Sequence, residues 1–164
     1  MEKTVSSSPL KYQGYAIVLQ EVPDEITLAF NISGCPYKCP DCHSKNLWNY
    51  DGRYIKEDFN NIFSKYKDYI SCVCFMGGDQ NINELYDLCK SIKDNKIKTA
   101  VFSGTNNINK FQKFFDNNML DYIKVGSFNK ELGGLDHPET NQIMYKIFGH
   151  KMTNINSRFV HTKM

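Results

Sequence analysis

Three cysteines fall within eight residues of the stretch Ser33-Gly34-Cys35-Pro36-Tyr37-Lys38-Cys39-Pro40-Asp41-Cys42-His43, and no other feature restricts the fold as much. Gly34, Pro36 and Pro40 break regular structure, so the stretch reads as a loop that folds back and lets its sulfurs converge on one centre. Thiolates are soft donors and select zinc, copper(I) or an iron-sulfur cluster. The rest of the chain has to supply a rigid mount for this loop.

Four readings compete for the three thiols. A zinc site completed by His43 has four ligands, but structural zinc usually draws them from two separated pairs. Cys39-Pro40-Asp41-Cys42-His43 also spells the attachment pattern of a c-type haem, which needs an exported setting. A disulfide with one spare thiol needs the same oxidising surroundings. A four-iron cluster held by three cysteines keeps one iron open for an exogenous ligand, and the spacing suits it.

The mount reads as alternating strands and helices. Tyr15 to Leu19 and Ile26 to Ile32 are apolar and β-branched runs, and the second delivers the chain straight into the cysteine loop. Trp48 reads as a packing residue. Phe59, Ile62, Phe63 and Tyr66 repeat at helical spacing, as do Leu85, Leu88, Cys89 and Ile92, with Asn83 as the expected N-cap. Ile108, Phe111, Phe114 and Phe115 mark a third helix. Between them lie strands at Cys72 to Met76, Thr99 to Phe102 and Asp121 to Gly126, and Gln142 to Phe148 is expected as the last strand. Cys72 and Cys74 share a strand face and read as small buried thiols. Gly77-Gly78-Asp79 and Ser103-Gly104-Thr105 close two strands, which places them where α/β folds mount their chemistry and makes Ser103 a candidate cofactor contact.

The 164 residues suit one α/β domain. We expect a polar N-terminal segment over 1–13, the domain over 14–148 and a polar tail over 149–164. Lys+Arg 20 against Asp+Glu 18 gives no charge excess that would call for nucleic acid or an anionic membrane as partner. Met1 to Pro9 lacks the apolar core of an export signal, so a cytoplasmic location is expected.

The cysteine spacing after a strand resembles the cluster loop of the radical S-adenosylmethionine superfamily. Trp48, Gly77-Gly78-Asp79, Lys124-Val125-Gly126, Leu132-Gly133-Gly134-Leu135 and Asn141-Gln142 make the chain, from Gly14 to Phe148, similar to one family within it, the activating enzymes of anaerobic ribonucleotide reductases. That resemblance implies a partial (β/α) barrel of the radical S-adenosylmethionine type. It implies that Cys35, Cys39 and Cys42 hold one [4Fe-4S] cluster, and that S-adenosylmethionine is chelated at the open iron. Gly77, Gly78 and Asp79 would meet its amino group. Many superfamily members carry an aromatic residue before the third cysteine, next to the adenine; this chain has Asp41, so an adenine contact would come from backbone or from elsewhere, with Tyr37 and His43 as candidates. The implied partners are the large subunit of an anaerobic ribonucleotide reductase, with its radical-bearing glycine loop, and an external one-electron donor such as flavodoxin. Two other functions fit the same loop: a small radical enzyme acting on a free metabolite, and a non-catalytic iron-sulfur module.

Overall fold

The computed structural model describes residues 8–37 and 45–160. Its framework is one eight-stranded sheet, built from β1 (Lys11–Val18), β2 (Thr27–Ile32), β3 (Arg53–Tyr54), β4 (Cys72–Met76), β5 (Lys98–Phe102), β6 (Tyr122–Val125), β7 (Ile143–Phe148) and β8 (Lys151–Asn154). Three helices complete it: α1 (Ile55–Tyr66), α2 (Ile82–Asp94) and α3 (Gln112–Asp116), the last continuing a 3-10 turn over Ile108–Phe111. The strand order is β3-β1-β2-β4-β5-β6-β7-β8. β2, β4, β5 and β6 run parallel, while β1 and β3 on one flank and β7 and β8 on the other are antiparallel additions.

The parallel strands are laid down in one direction across the sheet, so right-handed crossovers must bring every helix to the same face. The core agrees. Phe59, Ile62 and Phe63 of α1, Leu85, Leu88 and Ile92 of α2 and Phe114 of α3 pack with Leu28, Phe30, Val73, Phe75, Val101 and Ile123. Alternate residues of the same strands face the other way, where Ala29, Cys72, Cys74, Ala100, Tyr122 and Met144 form a second cluster with Val22. Cys72 and Cys74 thus share a face, buried, as does Cys89 on the helix side. Burial pushes all three thiols up in pKa, so they stay protonated and inert.

Three expectations are corrected. The boundary between segments 1–13 and 14–148 falls inside β1, because Leu10 and Tyr12 are buried and pairing with β2 already holds at Tyr12. A register shift between Tyr12 and Tyr15 breaks the alternation there, which hides the first half of the strand in the sequence. Gln142 to Phe148 is not the last strand: within the tail over 149–164, β8 forms a hairpin with β7, and a 3-10 turn over Asn156–Arg158 follows. Three of the four β8 residues are exposed and only Met152 is apolar, so this edge strand shows no alternation to read. Asn81, not Asn83, caps α2, because a side-chain cap must reach the N–H three residues on, and Asn81 Oδ1 accepts from the Glu84 N–H at 3.1 Å.

At the end of the sheet away from Cys35, buried Glu25 accepts hydrogen bonds from Tyr122 Oη (2.7 Å) and Lys98 Nζ (2.9 Å). Burial opposes its charge, but Lys98, Tyr122 and Ser71 outweigh it and hold the carboxyl below its ordinary value. A lowered folded pKa means that the contribution to stability is complete above the ordinary carboxyl value and is lost as pH falls through the lower one. Glu25→Gln should therefore flatten the acid limb of the stability profile, as read by urea unfolding at pH 7 and at about pH 4.

Candidate functional site

The parallel strands end together, and each end carries a turn that the sequence singled out. After β2 come Ser33, Gly34 and Cys35; the Ser33 hydroxyl donates to the Asp51 carbonyl at 2.5 Å, and the Gly34 and Cys35 N–H groups bond to the carbonyls of Asn49 and Leu47. Cys35 is thereby fixed to the chain that leaves the cysteine loop. Gly52, next to Asp51, has φ +105° and would place a Cβ 2.2 Å from the Tyr12 carbonyl oxygen. Gly52→Ala should cost at least about 2 kcal/mol in chemical denaturation, since both the backbone region and the space forbid it.

β4 ends in Gly77 and Gly78, at φ +108° and +107°, conformations that favour glycine. A Cβ on Gly78 would meet Leu85 and Leu10 in the core, at 3.3 and 3.5 Å, and one on Gly77 would meet Ile32 at 3.3 Å, although Gly77 also borders a cavity. Asp79 follows, its side chain only 1% exposed. Its Oδ2 accepts from Tyr37 Oη (2.5 Å), Ser103 Oγ (2.6 Å) and Lys110 Nζ (3.1 Å). Ser103 Oγ in turn accepts from the Thr105 N–H at 3.0 Å, so the hydroxyl is engaged on both sides. Lys110 also donates to Tyr37 Oη at 3.1 Å. Partial burial works against the Lys110 ammonium, but Tyr37 and Asp79 overcome it and raise its pKa.

The Tyr37 ring lies on Gly104, where a Cβ would stand 2.9 Å from ring carbons. Gly104→Ala should push the ring aside and weaken the Tyr37–Asp79 bond while leaving the helix-side core intact. Crystallography of the variant, with the ring in its original place as the contrary outcome, checks this. Gln80 Nε2 ties the β4 turn to β2 through the Ser33 carbonyl at 2.8 Å. Its Oε1 is buried with no hydrogen-bond partner among the described residues.

A cavity of about 200 Å³ lies between these turns, with Cys35, Tyr37, Gly77, Ser103, Gly104 and Lys124 in its wall. Phe102, Lys124, Phe128 and Gln142 join it to a wider groove of about 660 Å³ that runs past Gly133, Gly134 and His137. Lys124 Nζ stands 4.6 Å from the Phe102 ring centroid. Gln142 Nε2 donates to the Gly126 carbonyl at 3.3 Å. Segments near 78, 103, 125, 134 and 142 thus meet around one continuous space.

Cys35, Tyr37, Gly77, Asp79 and Ser103 are brought together here; Gly78 turns its Cβ position to the core. Cys39, Cys42 and His43 lie outside the described residues, and among those described no group of three His, Cys, Asp or Glu gathers as a metal site. Lys110 was not singled out from sequence. It is one lysine among many, and only its place one turn past the β5 end marks it. The donor chemistry fits a cluster: soft thiols spaced along one loop, the first of them on a residue whose backbone is held at a strand end beside an open cavity.

No curated protein matches the chain, and no solved structure does. The profile of the family described as "4Fe-4S single cluster domain" matches residues 26–136, more than half of the 164 residues. That stretch begins at the entry to β2 and takes in the cysteine loop, all four parallel strands and the Gly133-Gly134 turn. The chain belongs to the 4Fe-4S single cluster domain family.

Proposed function

We propose that the chain is a radical S-adenosylmethionine activase that acts on a glycine loop of an anaerobic ribonucleotide reductase. The observation that carries this reading is the cavity beside Cys35, around which the turns after β4, β5 and β6 converge and from which an open groove leads away. A module that only stores or passes electrons has no use for such a space. In this reading Cys35, Cys39 and Cys42 hold the cluster, which when bound supplies the electron that cleaves S-adenosylmethionine to methionine and a 5′-deoxyadenosyl radical.

The chain's own residues bind and orient. Gly77, without a side chain, lets a ligand approach the β4 backbone, and the Lys124 ammonium in the cavity wall suits a ligand carboxylate. Phe102 and Phe128 supply apolar wall that excludes water from the reacting carbon. The groove past Gly133 and His137 is where a partner's loop would enter, and its openness favours a protein segment over an enclosed metabolite. Helices on one face of a singly wound parallel sheet support reading the fold as a partial (β/α) barrel. A cytoplasmic setting and an external one-electron donor such as flavodoxin complete the proposal.

Anaerobic reconstitution followed by dithionite and S-adenosylmethionine should release 5′-deoxyadenosine. Addition of an anaerobic ribonucleotide reductase from the same source should then give a glycyl doublet by electron paramagnetic resonance. No cleavage would leave an iron-sulfur module; cleavage without the doublet would leave an enzyme of small substrates.

A further inference from the structure

We propose that Asp79 is the anchor of the cysteine loop and not a ligand for the cofactor's amino group. The inference rests on the reading above in that Cys35, Cys39 and Cys42 are taken as the cluster ligands. Three donors already converge on Oδ2 of this carboxylate, one of them the Lys110 ammonium at 3.1 Å, and the side chain is 1% exposed. An incoming ammonium would have to share the carboxylate with Lys110 or displace it, at a site closed to solvent. The carboxylate has no reason to prefer the newcomer.

What the carboxylate does hold is Tyr37. This residue stands two positions from Cys35 and two from Cys39, and it is locked at both ends of its side chain. Its hydroxyl donates to Asp79 at 2.5 Å, and its ring rests on Gly104 with no room for a Cβ between them. Two residues of chain span at most about 7 Å, so fixing Tyr37 limits how far the Cys35 backbone can move from the cavity wall. Asp79 is itself held by the β5 end through Ser103 and by the turn after β5 through Lys110. Tyr37 is thereby tied to the ends of β4 and β5 as well as to β2. Asp79, Tyr37 and Lys110 are positioning residues.

The test measures two things on anaerobically reconstituted protein: the rate at which a chelator removes iron, and the affinity for S-adenosylmethionine per retained cluster. Tyr37→Phe keeps the ring on Gly104 and removes only the hydroxyl; it should lose iron about tenfold faster than the parent. Asp79→Asn should do at least as much. The double variant should be little worse than the worse single, because both remove the same bond. In Asp79→Asn the affinity per cluster should stay within about twofold, because the carboxylate holds the loop and does not meet the cofactor. Unchanged iron release in Tyr37→Phe and Asp79→Asn would overturn the proposal. So would an affinity loss of about tenfold in Asp79→Asn with release unaltered, which would make the carboxylate a ligand group after all. Should Asp79→Asn fail to fold, Tyr37→Phe decides alone. If the parent binds no S-adenosylmethionine, the release rates still decide, whereas a Cys39→Ala protein that keeps its iron would instead strike the ligand assignment beneath the proposal.

Discussion

Cys39→Ala should strip most of the iron from anaerobically purified protein, and Cys74→Ala should leave it in place. The contrast follows from where thiols can become thiolates. Cys39 lies four residues from Cys35, whose backbone N–H donates to the Leu47 carbonyl beside the cavity. With Cys35, Cys39 and Cys42 proposed as the ligands, losing one would leave two, too few to retain a four-iron cluster against exchange. Cys74 sits in the middle of β4, paired through backbone to Ala29 and Ala100 and sealed from water. Burial pushes its thiol far above the ordinary range, so it has neither the charge nor the access to bind metal. Its removal should cost about 1 kcal/mol through a small cavity and no iron. Iron analysis with the visible absorption of each variant reads the result, and equal loss in the two proteins would sink the ligand assignment.

Phe75→Ala should destabilise the fold by about 3–5 kcal/mol in urea unfolding, and should do so with or without iron. Phe75 is fully buried in β4, flanked by Phe30 across the parallel pair, with ring centroids 5.8 Å apart, and covered by Phe59 of α1 at 6.1 Å. Phe59 stacks in turn on Phe63 at 5.4 Å. The ring therefore joins two neighbouring strands to the first crossover helix, and surrounding backbone on both sides prevents the hole from collapsing. Such a loss is a large part of the stability of a domain this size. A change below about 1 kcal/mol would mean that the aromatic cluster is much looser than its spacings indicate.

The helices were readable because one side of each is buried, and a buried side at a period of 3.6 leaves its mark on Phe59, Ile62 and Phe63 and on Leu85, Leu88 and Ile92. The β4 strand was readable for the opposite reason, being covered on both faces and so apolar throughout. What escaped was structure held by backbone. β8 is mostly exposed and polar, and the start of β1 is masked by its register shift. The site divides in the same way. Its glycines, cysteines and strand-end hydroxyls announce themselves by type, but the carboxylate's partners are a matter of distance in space. Lys110 is 31 residues from Asp79, and Tyr37 is 42 away. The second glycine of the β4 turn shows the converse, since its sequence suggests approach by a ligand while its Cβ direction is into Leu85.

The strand order also sets a timetable for assembly. β1 with β2, and β7 with β8, are hairpins that join near neighbours in the chain. The parallel pairs join distant ones: Thr27 to Cys72, Cys72 to Lys98 and Ala100 to Tyr122. Each requires a crossover to close before any contact rewards it, and that makes these pairings the slow ones. The cysteines follow β2 and are synthesised early, while the wall of the cavity comes from β4, β5 and β6 and is completed late. During synthesis on the ribosome the thiols emerge well before Asp79, Ser103 and Lys124 exist to surround them. The interval between those two moments is when this chain is most exposed to the wrong metal or to oxidation.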